Sequence, residues 1–291
     1  MGLSDDVRRD CARVAAGARS VHIDATALGA VEPAEPPELD PQVHYLEGEP
    51  EDVARYLLAL DAINFGSGWF PLLDKRRPGL SGYFTVAWNM SDDWRARGPW
   101  TAGDLRAMTT ERIAGALRQS PALELMSLFA QALREFGRLL GDGGALALIE
   151  EARGSSQRLA ARLASECTLF ADHGFYKRAQ IAANDLALAG IAQFDDLDKL
   201  TIFADNLVPH VLRCDGVLHY DDALAAHIDR GLQLPAGREE RVIRAAAVHA
   251  CELLAQRTGV PPRVLDVWLW NRGQAPEYKA RPRHRTRTVF Y

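Results

Sequence analysis

The sequence predicts an all-α, or mostly α, fold: a single compact multi-helical domain over residues 1–291, with at most a few short strands. Three observations carry that expectation. Apolar residues recur at three- and four-residue steps along most of the chain. Proline and glycine fall where such runs would begin and end. Only two short stretches look like strands, and no internal repeat, low-complexity tract or dividing linker interrupts the pattern.

Taken in order, Ser4 caps a first helix, with Asp5 and Asp6 placed well for its dipole. Val21 to Asp24 reads as a strand, and the proline- and acid-rich stretch from Pro33 to Pro41 as a loop. Pro50 opens a helix at its first position, and Val53, Leu57, Leu58 and Leu60 to Ile63 form its buried stripe. Tyr83 to Trp88 reads as the second strand. The strongest helix runs from Ser120 as cap and Pro121 to about Leu140. Leu125, Phe129, Leu133, Phe136 and Leu140 mark its apolar face, and the cluster Gly141-Asp142-Gly143-Gly144 ends it. Further helices are expected near 146–153, 156–166, 175–190, 206–214, 222–231, 238–257 and 262–271.

Composition narrows the function classes. With 47% hydrophobic and 25% charged residues, a chain of 291 residues buries a sizeable core without covalent staples. A formal charge of −5 argues against binding a nucleic-acid polymer, which needs many phosphates neutralised, but allows a single nucleotide. Cys11, Cys167, Cys214 and Cys251 form no CxxC pair, so neither zinc nor a redox dithiol is expected, and a reducing compartment fits. The opening MGLSDDVRRD has charges where a signal peptide needs an apolar stretch, and Gly2 lacks the downstream serine or threonine of a myristoylation signal. No apolar run approaches the roughly 18 residues of a membrane span. The expectation is a soluble, cytoplasmic monomer without a membrane partner.

Four segments put polar and aromatic groups where a core would not need them. In Leu60 to Pro71 a helix ends in a glycine-bearing turn, where Asn64 suits the edge of a base and Phe65, Trp69 and Phe70 offer stacking faces. The same aromatics would serve equally as core around a helix end. In Phe175 to Gln180, Lys177 and Arg178 begin an apolar helix, against its dipole. They are either two solvated charges or partners of an anion bound at the helix start. In Leu200 to Arg213, Asp205 follows a strongly apolar run. It either caps the next helix or is a carboxylate held in a low-dielectric pocket. Lastly, Val264 to Trp270 is an aromatic helix, and the basic segment after Arg281 ends in apolar residues that favour docking over a loose arm. His210, His219, His227 and His249 lack metal-ligand spacing, and neither a GxSxG elbow nor a cysteine nucleophile stands out. Carboxylate-centred chemistry without metal or cofactor is the enzymatic reading.

The segments LDAINF (60–65), SGYF (81–84), FYKRAQ (175–180), LTIFADNLVPHVL (200–212), GVLHY (216–220), LDVWLW (265–270) and HRTRTVFY (284–291) occur in one order along the chain. Together they resemble successive blocks of the queuosine salvage proteins, outside 33–42 and 89–108. The resemblance implies a fold reminiscent of helical base-excision glycosylases. It also implies metal-free hydrolysis of queuosine 5′-phosphate to queuine and ribose 5-phosphate. It matches Asp205 to the family's catalytic aspartate, sets Lys177 at the phosphate end, and sets Asn64, Phe65 and Trp69 near the base. His22, Tyr83, Asn206, Asp266 and Trp270 are further substrate-site candidates, each with core packing or support as its alternative role. The competing functions are a non-catalytic nucleotide- or RNA-binding helical module, and a helical scaffold in which every such aromatic is core.

Overall fold

The computed structural model describes residues 2–30 and 38–291. Its helices are α1 (Leu3–Ala16), α2 (Pro50–Ala62), α3 (Gly82–Arg97), α4 (Ala102–Arg106), α5 (Thr110–Leu117), α6 (Glu124–Leu140), α7 (Gly144–Glu151), α8 (Ser156–Glu166), α9 (Lys177–Leu188), α10 (Val208–Cys214), α11 (Asp222–Asp229), α12 (Arg238–Thr258), α13 (Pro262–Arg272) and α14 (Pro276–Lys279). Two strands, β1 (Val21–Ile23) and β2 (Leu218–Tyr220), pair antiparallel. The structure is mostly helical, as the periodicity predicts. No helix among the described residues is long and apolar enough to cross a membrane. Of the expected loop at 33–41, residues 33–37 lie outside the described ones, and 38–40 are irregular.

The chain forms two compact units, each assembled from separated segments. The first comprises Met1–Pro37, His173–Lys177 and Asp198–Thr288. Its centre is α12, whose buried residues from Val242 to Leu254 cover nearly its whole circumference, the mark of a helix inside a core. Helix α1 lies on α12 through Ser4, Val7 and Cys11, one face at helical spacing. Helices α10 and α13 close the core with Val208, Val211, Leu212, Leu265 and Leu269. Ser4 is not the cap of α1. It is buried in the first turn, Gly2 holds the cap position, and the Asp5 carboxylate accepts the Gly2 N–H at 3.0 Å.

The second unit comprises Glu38–Asp172, Arg178–Leu197 and Val289–Tyr291. Helix α6 packs against α2, α4 and α5 with Leu125, Phe129, Leu133, Phe136 and Leu140, the predicted stripe. Gly137 is required in it, because a Cβ there would stand 2.6 Å from the backbone nitrogen of Arg106. Helix α6 begins at Glu124, later than Ser120 and Pro121 suggest. Ser120 instead closes a local turn, its carbonyl accepting from Leu123 at 3.1 Å.

The expected strand Tyr83–Trp88 is helical, the opening of α3. Ser81 caps it by accepting the Phe84 N–H at 3.1 Å. Val86, Met90 and Trp94, at steps of four, are buried on one face, so tertiary burial outweighs the local aromatic and β-branched preference for a strand. Helices α4, α5 and α14, of five, eight and four residues, are too short to show a period in sequence, and β2 is seen only through its pairing with β1.

Candidate active site

Residues 200–206 form neither helix nor strand, and Leu200 to Ala204 are buried. Buried backbone polar groups need partners, and neighbouring elements of the first unit supply them. The Asp266 carboxylate on α13 accepts the Phe203 N–H at 2.8 Å. Arg244 on α12 donates Nε to the Ala204 carbonyl at 2.9 Å. Asn206 donates Nδ2 to the His284 carbonyl at 2.9 Å. Three fixed points thus hold the chain on both sides of Asp205.

Asp205 itself is partly exposed. Its Oδ1 accepts the N–H groups of Leu207 at 2.7 Å and Val208 at 3.0 Å, satisfying free donors at the start of α10. No donor among the described residues reaches Oδ2. Of the two sequence readings of Asp205, the helix-start role is the one seen in its Oδ1 contacts.

Arg244 also joins this segment to Phe175, its guanidinium 3.9 Å from the ring centre. Tyr176 follows with a left-handed φ of 51°, and the chain then enters α9 at Lys177. Lys177 and Arg178 are 5% and 1% exposed, so neither is a solvated charge. Arg283 lies within electrostatic reach of Asp205. Burial pulls its pKa down, against the opposing pull of that carboxylate. Burial also drives His284 to a pKa of about 3 and His210 to about 4, with arginines nearby adding to the effect, so both rings are neutral near pH 7.

The remaining candidates are scattered more widely. In the first unit, Asp266 and Trp270 stand one turn apart on α13, Asp266 buried and Trp270 half-buried. His22 is exposed on β1 opposite His219. In the second unit, Asn64 is half-buried in the turn after α2. Phe65 is 1% exposed and meets Phe129 edge-on at 5.0 Å. Trp69 is 5% exposed, its indole N–H donated to Glu124 at 2.8 Å. Tyr83 is 2.9 Å from Nε2 of His44. Since Nδ1 of His44 faces the Asp40 carbonyl at 3.0 Å, that nitrogen carries the ring proton and the phenol donates to Nε2. Burial raises the Tyr83 pKa well above its ordinary value.

Sequence reasoning did not single out Arg244, which holds the Ala204 carbonyl, or Arg283, which lies within electrostatic reach of Asp205. In sequence, Arg283 stands in the basic stretch Arg283-His284-Arg285-Thr286. Among the described residues, no three His, Cys, Asp or Glu side chains are grouped to hold a metal ion.

Fold and site together define a mostly helical protein whose candidate chemistry centres on a carboxylate fixed at the start of a helix. The chain belongs to the queuosine salvage protein family, whose model, described as "Queuosine salvage protein", matches residues 43–291. It is 33% identical to a protein of Sphaerobacter thermophilus named "Queuosine 5'-phosphate N-glycosylase/hydrolase", over 96% of this chain and 95% of that one. A mouse protein of the same name is 26% identical over 84% of this chain and 83% of its own. A Dictyostelium discoideum protein of that name is 40% identical over 40% of each.

Proposed function

We propose that this chain hydrolyses the N-glycosidic bond of queuosine 5′-phosphate, releasing queuine and ribose 5-phosphate. The observation that carries this reading is the end-to-end match to the Sphaerobacter protein so named. The placement of Asp205 supplies the chemistry. In the reaction the bond from C1′ to the base nitrogen breaks, its electron pair leaving with the base. Water oxygen bonds to C1′, and one water proton ends on the base nitrogen. An ordinary purine leaves more easily when N7 is protonated, but a 7-deazapurine has carbon there. The protein must therefore act on the sugar, where positive charge develops.

Asp205 stabilises that charge through its uncommitted oxygen. A preorganised charge does this better than water, because it need not reorient during the reaction. The bonds from Leu207 and Val208 hold the carboxylate in one orientation. Lys177, at the start of α9, serves the phosphate. Asn206 and Asp266 act by holding the Asp205 segment.

Incubating the protein with queuosine 5′-phosphate and following free queuine by chromatography tests the reading. Binding without turnover would instead favour a silent nucleotide-binding module, and neither would favour a scaffold. Trapping with methanol fixes the anomeric configuration of the product: retention indicates attack by Asp205, inversion direct attack by water.

A further inference from the structure

Helices α1 and α12 pack together within the first unit, and the end of one meets the start of the other at an open groove of about 370 Å³. Arg13, Val14 and Gly17 line it from the end of α1, and Arg238, Arg241 and Val242 from the start of α12. Three arginines thus share one groove, and none of the lining residues is acidic. Its volume falls within the range of small-molecule sites, roughly 300–1,000 Å³.

The carboxylates close to these arginines in sequence leave most of their charge unmatched. Asp10 reaches Arg13 at 3.4 Å. Glu239 accepts from the Ser20 hydroxyl, and the buried Glu240 pairs with Arg244 at 3.3 Å. Arg238 is exposed and makes no side-chain hydrogen bond or ion pair with any described residue. Arg241 is held in place, its Nη1 donating to the His173 carbonyl at 3.2 Å and its guanidinium 5.2 Å from the centre of the Phe175 ring. The ends of α1 and α12 bring opposite partial charges of about half a unit each, which offset one another. Three guanidinium groups less the Asp10 carboxylate leave a net charge of +2, the match of a diphosphate. A cleft lined by one sign of charge concentrates the opposite ion, and guanidinium forks take phosphate oxygens two at a time. Val14, Gly17 and Val242 add an apolar stretch against which an organic group can lie. The chain's net charge of −5 disfavours a nucleic-acid polymer as the source of the phosphates.

We propose that the groove between α1 and α12 binds the diphosphate group of a small organic molecule. It is a second site, separate in its residues from the Asp205 segment, and it does not depend on the hydrolase reading. The test is calorimetric titration of wild type, Arg13→Gln, Arg238→Gln and Arg238→Lys with pyrophosphate and with ADP. Wild type should bind both, ADP the more tightly because its nucleoside adds contact with the valines. Each glutamine variant should weaken both affinities by roughly ten-fold or more. Arg238→Lys should lose less, since it keeps the charge but not the fork. Cleavage of queuosine 5′-phosphate should be unchanged in all three variants.

Affinities that survive every substitution would place the bound anion elsewhere and overturn the groove, as would a wild type that binds neither probe. Pyrophosphate bound without ADP would overturn it too, because the groove would then take an inorganic anion alone. So would a single-stranded oligonucleotide bound where both small probes are not. Binding that depends on Arg13 and Arg238, in a protein that does not cleave queuosine 5′-phosphate, would uphold the groove and refute the hydrolase. Arg13 and Arg238 are both exposed, and they lie on different helices, so either variant carries the comparison if the other fails to fold.

Discussion

The guanidinium of Arg178 stands 4.7 Å from the centre of the Phe65 ring, and 4.9 Å from that of Phe170. Its Nη1 donates to the Ala62 carbonyl and its Nη2 to the Val289 carbonyl, the latter at 2.8 Å. Burial lowers its pKa to about 10, which leaves it charged at neutral pH. Arg178 therefore fastens the turn after α2 to residue 289 within the second unit. Gly66 adds a bond of 3.0 Å to the Tyr291 carbonyl, and Tyr291 is buried, so the segment's apolar end docks as its composition suggests.

Arg178→Met should cost roughly 2–5 kcal/mol, because two carbonyls are left without donors in a buried place. Urea unfolding measures it, and an unchanged midpoint would dismiss the clamp. Arg178→Lys should not restore stability, since one ammonium lacks the fork that reaches both carbonyls.

Asp205→Asn keeps an oxygen for the amides of Leu207 and Val208 but removes the charge. Turnover should fall by roughly 10²–10⁴-fold, the range for positioned acid–base groups, with the fold intact and substrate still bound. Asp205→Ala should lose about 1 kcal/mol of stability as well, the usual worth of a cap. Near-normal turnover by the asparagine variant would reduce Asp205 to its structural role.

For Trp69, two substitutions separate stacking from packing. Trp69→Phe keeps a stacking face and drops the bond to Glu124; Trp69→Ala removes both. If the indole stacks on the base, queuine affinity of the folded alanine variant falls by about 1–3 kcal/mol and the phenylalanine variant keeps most of it. Unchanged affinity together with a stability loss of about 3–5 kcal/mol for alanine would assign Trp69 to the core.

Acid should destabilise the protein through His210 and His284. Unfolded, each takes a proton near pH 6.5; folded, they resist down to about 4 and about 3. Between those values the unfolded chain binds more protons. Stability is therefore full above pH 6.5 and falls as pH drops toward 4, by at most about 1.4 kcal/mol per pH unit for each ring. Carboxylates such as Asp104, held low by its bond from Thr101, lose their share only below 3.8. Urea midpoints from pH 7 to pH 4 measure the slope. His284→Gln should flatten it, and a pH-independent midpoint above 4.5 would contradict the buried-neutral state.

The sequence by itself determined the elements whose signal is local. The spacing in α6, the proline that opens α2 and the span of α8 are each written in adjacent residues, because a helix repeats its burial every three or four positions. The ordered blocks from LDAINF to HRTRTVFY likewise pointed to the family before any contact was known. What only the tertiary structure decided depends on residues far apart in the chain. The bond from Asn206 to His284 spans 78 positions and that from Arg178 to Ala62 spans 116, and no periodicity encodes either. For the same reason Tyr83 to Trp88, strand-like when read alone, is helical: the choice lay with the partners that bury Val86, Met90 and Trp94. Charge was undecided too. Arg178 and Arg283 look alike as letters, but folding surrounds the first with carbonyls and leaves the second beside Asp205 without an acceptor among the described residues.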